Sequence, residues 1–406
     1  MGGANSRETM NPPSNSTFFN PQELKDLSSA YGSGGLEALA SLIQDKVNHL
    51  NSTKLHIAVT GESGAGKSSF INAMRGLRGC DEGAAKIGNT ETTMEPTQYK
   101  HPSFPEVSFW DLPGVGTVNF PAKEYPTKMK FEQYDFFIVI SRNRFTEIDA
   151  NLVKEVKKLG KMFYFVRTQI DNDIRSYLFE AVNADREAEL AKIRNYCIRS
   201  LEKTGIAEPT VFLISSIEIN EFDFAELQKT IANNLDDIKK DVFLKSLPST
   251  TLNIVKEKEV QLKKRIWMLA TIAGTLGAVP VPGVAIACDI GLLITAIIDF
   301  RKYLGLDDAS IQRLANATGK PVEVLTAEVK TPLVGEINKD LVKRMLLGGT
   351  AVGIAGVETA FKFIPVIGSI FGAGTSFGMT YSLLNNALDQ LVQNTQEVVK
   401  AAFDNA

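Results

Sequence analysis

Cysteine is nearly absent from this 406-residue chain; the three present, Cys80, Cys197 and Cys288, lie far apart with no CxxC pairing. Neither a disulfide framework nor a zinc site can be built from them, and the cytosol is the expected compartment. Histidine is equally scarce, and His49, His56 and His101 share no metal-ligand spacing. Each is read as an ordinary packed or surface side chain. Net charge is also small, formally -3. A general nucleic-acid binder would show a basic domain or stripe, so that class is set aside. What the chain does have is apolar material, 44% of its residues, and a length that favours two cores over one.

The stretch that organises the chain is Gly61 to Ser69, GESGAGKSS, between an apolar run (Leu55 to Thr60) and a helix-like run (Phe70 to Leu77). It fits G-x-x-x-x-G-K-[ST], with Gly61, Gly66, Lys67 and Ser68 at the defining positions. Glycines let the backbone wrap a phosphate chain, and the following helix aims its amides and positive dipole end at it. Lys67 then neutralises the terminal phosphates and the Ser68 hydroxyl can hold Mg²⁺. The loop Gly61, Glu62, Ser63, Gly64, Ala65, Gly66, Lys67, Ser68 and Ser69 is therefore the expected triphosphate cradle. A plain Gly/Ser-rich turn is the bland alternative, but it has no need of the four fixed positions between strand and helix.

From Lys54 to about Leu235 short apolar runs alternate with polar or helical stretches: Leu55 to Thr60, Val107 to Trp110, Phe136 to Ser141, Met162 to Arg167 and Thr210 to Ser215. This pattern predicts a mostly parallel α/β sheet, with ligand-contacting residues just past the strand ends. After the second run comes Asp111-Leu112-Pro113-Gly114, where Asp111 is placed to hold Mg²⁺ through water and the Gly114 amide to sense the terminal phosphate. An ordinary strand-ending turn has the same form; its distance of about 45 residues after the phosphate loop favours the nucleotide reading. Between them, Thr93 in Glu91-Thr92-Thr93-Met94 is the expected switch hydroxyl for the metal. After Met162 to Arg167 comes Thr168-Gln169-Ile170-Asp171. A carboxylate at Asp171 can accept two hydrogen bonds from guanine, while capping a helix is its alternative role. Ser215 and Ser216, after the last run, are placed to offer backbone amides to the guanine carbonyl.

These segments, with TMEPTQYKHPSFPEVSFWDLPGVGTVNFP, YDFFIVIS, FYFVRTQID and GIAEP, together resemble the interferon-inducible immunity-related GTPases over about Lys54 to Pro248. The resemblance implies a Ras-like P-loop GTPase domain on an all-α domain, with GTP, GDP and Mg²⁺ as ligands. It assigns Lys67 and Ser68 to phosphate and magnesium, Thr93 to the switch, Asp111 and Gly114 to the second switch, and Asp171 to guanine. Lys67 further implies the effector type, as a second group with methionine there regulates the first. It also points to Glu91 as the residue that orients the attacking water, a role in which a solvated loop carboxylate is the alternative. Two positions depart from the family pattern: Gln169 stands where lysine is usual, and Ser215-Ser216 where asparagine is common. The lysine stem normally covers the base, so weaker guanine affinity or selectivity is expected. No glutamine follows DxxG; Val115-Gly116-Thr117 does, so hydrolysis is expected to be slow until a second protomer completes the site. Arg142 and Arg144 are candidates for that contribution.

The ends of the chain read differently. Met1-Gly2-Gly3-Ala4-Asn5-Ser6 has the spacing of a myristoylation signal on Gly2, and it lacks the apolar core of a secretory signal. A polar tail of no further function is the alternative over residues 1–20. Residues 21–52 read as two helices around Gly32-Ser33-Gly34-Gly35, residues 53–240 as the GTPase domain, and 241–406 as a helical domain completed by the N-terminal helices. Two runs there carry no charge, Ile266 to Cys288 and Phe363 to Leu388, and both reach spanning length. Prolines and glycines interrupt them, and Pro280-Val281-Pro282-Gly283 is echoed by Pro365-Val366-Ile367-Gly368, which suggests repeated helix hairpins. Close packing inside the protein is preferred over insertion in lipid, since small residues serve both. A membrane-inserting protein gated by its nucleotide domain is the rival function, and Asp171 speaks against an ATP-using kinase. The family resemblance implies GTP-dependent homo-oligomers, dimerising across the nucleotide site and subject to regulatory family members. It also implies cytoplasmic proteins held peripherally on intracellular membranes, including those of pathogen-containing vacuoles, in cell-autonomous immunity.

Overall fold

Along Phe136–Ser141 every residue is buried, Phe136, Ile138 and Ile140 in one apolar cluster and Phe137 and Val139 in another. Such a strand can only sit in the middle of a sheet covered on both faces. The computed structural model describes residues 21–88, 95–115, 124–142, 144–180, 185–276, 284–348 and 376–403. The first half runs α1 (Pro21–Ser52), β1 (Leu55–Gly61), α2 (Lys67–Met74), β2 (Thr97–Lys100), β3 (Val107–Asp111), α3 (Tyr125–Lys128), β4 (Phe136–Ser141), α4 (Glu147–Lys158), β5 (Met162–Arg167), α5 (Ile170–Glu180), α6 (Arg186–Glu202) and β6 (Val211–Leu213). Helices follow: α7 (Phe224–Asn234), α8 (Asp237–Ser246), α9 (Leu252–Leu276), α10 (Val284–Leu304), α11 (Asp308–Thr318), α12 (Val322–Ala327), α13 (Lys339–Gly348) and α14 (Ser376–Phe403).

Among the described residues six strands lie in the order β2-β3-β1-β4-β5-β6, all parallel except β2. Register sets Val59 beside both Asp111 and Ile138, so the carboxyl ends of β1 and β3 meet beside β4. Helices α2, α7 and α8 cover one face through Phe70, Phe224, Leu227 and Phe243. The other face is covered by α4, α5 and α6 through Leu152, Val153, Ile174 and Leu201. The edge strand β2 was not expected from sequence, because Thr97, Gln98 and Lys100 are exposed and carry no apolar alternation. The last strand is shorter than the expected Thr210 to Ser215, ending at Leu213 before the chain turns at Ser215.

Both chain ends build a second, helical core. Leu39 and Ile43 of α1 join Trp267, Leu293, Phe300, Leu384 and Leu391 from α9, α10 and α14. Glu23 of α1 forms ion pairs with Lys46 and, at 3.4 Å, with Lys264 of α9. The expected break in α1 is a kink at Gly34 (φ -146°, ψ 16°) and Gly35 (φ 63°, ψ -148°). The first uncharged run begins inside α9, which continues to Leu276 with Ala270, Thr271 and Ala273 fully buried. The described part of the second uncharged run, Ser376 to Leu388, begins α14 and buries Phe377, Tyr381, Leu384 and Leu388. The Pro280–Gly283 and Pro365–Gly368 segments lie outside the described residues. Among the described residues no helix is long and apolar enough to cross a membrane. The boundary placed after residue 240 falls inside α8, whose Val242 and Phe243 pack under the sheet while Asp241 pairs with Arg265 of α9.

Candidate nucleotide site

At the carboxyl end of β1 the chain turns so tightly that only glycine fits. Gly61 has φ 149°, and a Cβ there would sit 2.1 Å from the Ile140 carbonyl oxygen of β4. The loop then runs to Gly66, whose φ of 92° starts α2. Lys67, buried, lies across the loop, its Nζ donating to the carbonyls of Glu62 (2.9 Å) and Gly61 (3.3 Å). Ser68 Oγ donates to Asp111 Oδ2 at 2.5 Å. A hydroxyl and a carboxylate are hard oxygen donors of the kind Mg²⁺ takes, so this pair fits the ion. The second switch segment pairs with the loop: Val115 N–H donates to the Gly61 carbonyl at 3.3 Å and bridges to Glu62. A Cβ at Gly114 would meet Ser63 backbone at 2.8 Å, so glycine is what lets the two loops touch.

The cavity between these loops has a volume of about 610 Å³, in the usual range for a small-ligand site. Ser63, Gly64, Gly66, Lys67, Ser68, Ser69, Gly114, Thr168, Gln169, Asp171 and Ser216 line it. Of the other expected residues, Gly61 and Ala65 shape the loop from behind and Asp111 is buried below Ser68. Glu62 turns away: its Oε1 accepts from Thr146 Oγ1 at 2.8 Å, tying the loop to the start of α4. Ser215 is also turned inward, its Oγ accepting from the N–H of Ile217 and Glu218. It thereby shapes the turn that presents Ser216. Glu91, Thr93 and Gly2 lie outside the described residues. Arg142 lines the cavity, whereas Arg144 is exposed off it.

At the base end, α5 begins at Ile170, so Asp171 sits within its first turn instead of capping it. Asp171 is 7% exposed, and Thr168 Oγ1 donates to the Ala65 carbonyl at 2.7 Å, fastening this loop to the phosphate loop. Gln169, where lysine is usual in the family it resembles, adopts φ 59° and brings its amide close to Gly66. Buried Arg167 braces the same loop, pairing with Asp173 and donating to the Thr168 carbonyl at 2.6 Å. Burial is the main cause lowering its pKa, and the Asp173 carboxylate opposes it.

Sequence reasoning missed Ile87, Gly88, Asn172 and Ile217, which complete the lining. Ile217 is 80% exposed at the rim, an apolar side chain beside Ser216 with no motif to announce it. Tyr125 was missed as well. Its buried phenol donates to the Pro113 carbonyl at 2.6 Å and lies 3.0 Å from Thr60 Oγ1, linking the second switch to β1. Asp149 is another: burial, with Glu62 nearby adding to it, pushes its carboxyl up to about 6 against the hydrogen bonds from Thr146 and Ser141.

A family model described as Interferon-inducible GTPase (IIGP) matches residues 20–402. Interferon-inducible GTPase 5 of Rattus norvegicus is 37% identical over 379 residues, 93% of this chain and 82% of that protein. T-cell-specific guanine nucleotide triphosphate-binding protein 2 of Mus musculus is 39% identical over 377 residues, 91% of this chain and 87% of its own length. Interferon-inducible GTPase 1 of Mus musculus is 40% identical over 302 residues, 74% and 73% of the two chains. Among solved structures, the bacterial dynamin GTPase LeoA from ETEC aligns at TM-score 0.38 and 14% identity, over 80% of this chain and 73% of that one. A phosphate-loop turn facing a cavity at the carboxyl end of the sheet thus sits in a chain that matches one family model from residue 20 to residue 402, and the chain belongs to the interferon-inducible GTPases.

Proposed function

We propose that this GTPase assembles with copies of itself across the nucleotide cavity when GTP is bound, on the cytoplasmic face of intracellular membranes around vacuolar pathogens. The observation that supports this reading is the convergence of Lys67, Ser68 and Gly114 on one cavity at the end of the sheet, with Asp111 behind Ser68, an arrangement suited to a terminal phosphate and its metal ion. Ser68 and Asp111, with Thr93, would hold Mg²⁺, which when bound neutralises charge on the β- and γ-phosphates. Lys67 and the Gly114 amide hold the terminal phosphate, Glu91 orients the attacking water, and Asp171 selects guanine. A second protomer covering the open cavity excludes bulk water and supplies the missing cation, with Arg142 already on the rim. Regulatory members of the same family are the expected hetero-partners.

A single acyl chain on Gly2 is a marginal, reversible anchor, so lasting residence on a membrane needs avidity from assembly. Hydrolysis would then release the attachment. Liposome flotation paired with light scattering tests the coupling. Gly2→Ala is expected to scatter with GTP yet fail to float; Lys67→Ala, losing about 1.5–3 kcal/mol of charged hydrogen bonding to the phosphates, is expected to do neither. A Gly2→Ala protein that floats like the parent would discard the lipid anchor.

A further inference from the structure

A second cavity lies away from the nucleotide, where the sheet unit meets the helical unit. Its volume is about 60 Å³, which holds about four or five water-sized groups. Arg75, Lys245, Lys258, Lys302 and Arg313 line it, and among the described residues no aspartate or glutamate does. Arg75, Lys245 and Lys258 are each more than nine-tenths buried. Buried charge of one sign needs compensation, so the surrounding acids matter. Glu106 pairs with Lys245 from outside the lining; Asp307, which caps α11 by accepting from Ser310 N–H (3.2 Å) and Ser310 Oγ (2.6 Å), also acts through space on Lys258 and Arg313, as Asp81 does on Arg313 and Asp299 on Lys302 and Lys245, so acids surround the cavity without entering it. Lys258 Nζ has three acceptors, the Leu247 carbonyl (2.6 Å), the Tyr303 carbonyl (2.8 Å) and Ser249 Oγ (3.1 Å), and no carboxylate. The Arg75 guanidinium is spent on the carbonyls of Lys100 and Gly83.

The independent observation is His101, 6% exposed and on the lining. Its Nδ1 accepts from the N–H groups of Ser103 (3.2 Å) and Phe104 (3.1 Å). That fixes the neutral tautomer with hydrogen on Nε2, and no described residue accepts from it. Burial first, and then Arg313, Arg75, Lys258 and Lys302, hold the imidazole neutral by lowering its pKa well below the ordinary value. The Lys302 and Lys245 ammoniums stand 5.2 and 5.5 Å from the Phe104 ring centre, and Arg313 reaches Ser103 and Ser310 at 2.8 Å.

We infer that this junction is a binding site for one tetrahedral oxyanion of the phosphate class, whose oxygens accept from His101 Nε2–H, Arg313 and Lys302 in the field of Lys258 and Arg75. Size argues for the free ion, because four oxygens about one centre match a space of about 60 Å³. The site has architectural meaning. Arg75 ends the helix that follows the phosphate loop, His101 and Ser103 lie between β2 and β3, and Lys258, Lys302 and Arg313 belong to α9, α10 and α11. A bound ion therefore clamps the nucleotide-binding unit to the helical unit.

The test is thermal unfolding of the full chain, saturated with GDP and Mg²⁺, in rising inorganic phosphate against sodium chloride of equal ionic strength. A saturable rise in Tm is expected, as for any ligand of the folded state. Lys67→Ala should keep it, which separates this site from the phosphate loop. Arg313→Met should raise the half-saturating concentration about tenfold or more, the cost of one charged hydrogen bond. Lys302→Met, at an exposed side chain that folding tolerates, should do the same. The assignment is overturned if the parent shows no saturable rise, if both methionine variants respond like the parent, if Lys67→Ala abolishes the effect, or if glycerol 2-phosphate stabilises equally.

Discussion

At the scale of single residues the sensitive points are Asp171 on the cavity and Tyr125 behind Pro113. Asp171 faces the cavity from the first turn of α5, and its carboxylate matches the two donors on the guanine edge. Asp171→Asn replaces one acceptor by a donor. GTP binding is expected to weaken and xanthosine triphosphate binding to improve, checked by titration calorimetry with both nucleotides and ATP; unchanged preference would remove Asp171 from base recognition. Tyr125 acts through Pro113. Without its hydroxyl, Tyr125→Phe leaves the Pro113 carbonyl and Thr60 hydroxyl short of a partner in the interior. A stability loss of about 1–3 kcal/mol in urea is expected, with kcat falling more than GTP affinity because the displaced segment carries Gly114. Equal losses in both kinetic quantities would make the role merely structural.

At the scale of elements, α4 is the one whose start is wired to the phosphate loop. Thr146 caps it by accepting from Asp149 N–H while donating to Glu62, and Asp149 returns the cap. The Asp149 carboxyl has a folded pKa of about 6 against 3.8 ordinarily, so the folded state binds its proton more tightly. The contribution is therefore full below about pH 4 and is lost as pH rises through 6, on the order of 3 kcal/mol for two pKa units. Asp149→Asn keeps an acceptor for the cap and removes the titration. The stability difference, parent minus variant, is expected to fall by roughly that amount between pH 4 and 7 in urea unfolding. A difference that stays flat would mean that Asp149 titrates normally.

At the scale of the molecule, α8 belongs to both cores. Phe243 lies under the sheet, while Asp241 pairs with Arg265 and accepts from Tyr303 Oη at 3.1 Å. Removing one member of a buried ion pair leaves an uncompensated charge, so Asp241→Ala is expected to cost about 3–5 kcal/mol. The two tryptophans report the two units separately, Trp110 on β3 and Trp267 on α9. In single-tryptophan proteins the parent's two transitions are expected to coincide in urea, and those of Asp241→Ala to separate. Coincident transitions in the variant would place the coupling elsewhere in the interface.

Much of this molecule was already legible in its residues, for a local reason. A phosphate loop needs four defined positions between strand and helix, and a buried parallel strand needs an unbroken apolar run. Gly61 to Ser68 and Phe136 to Ser141 carry those requirements within a few residues of chain. The order of Asp111, Thr168 and Asp171 along the sequence then followed from strand order alone. What only the tertiary structure decided depends on residues far apart in the chain. The exposed edge strand β2 exists because β3 pairs with it, and its own Thr97, Gln98 and Lys100 carry no pattern. Tyr125 matters because folding brings it to Pro113 and Thr60, and Glu62 turns away from the cavity because its carboxylate accepts from Thr146, 84 residues on, at the start of α4. His101 reads as an ordinary side chain until two separate units close over it, since burial and the cations around a group are properties of packing and not of sequence neighbours.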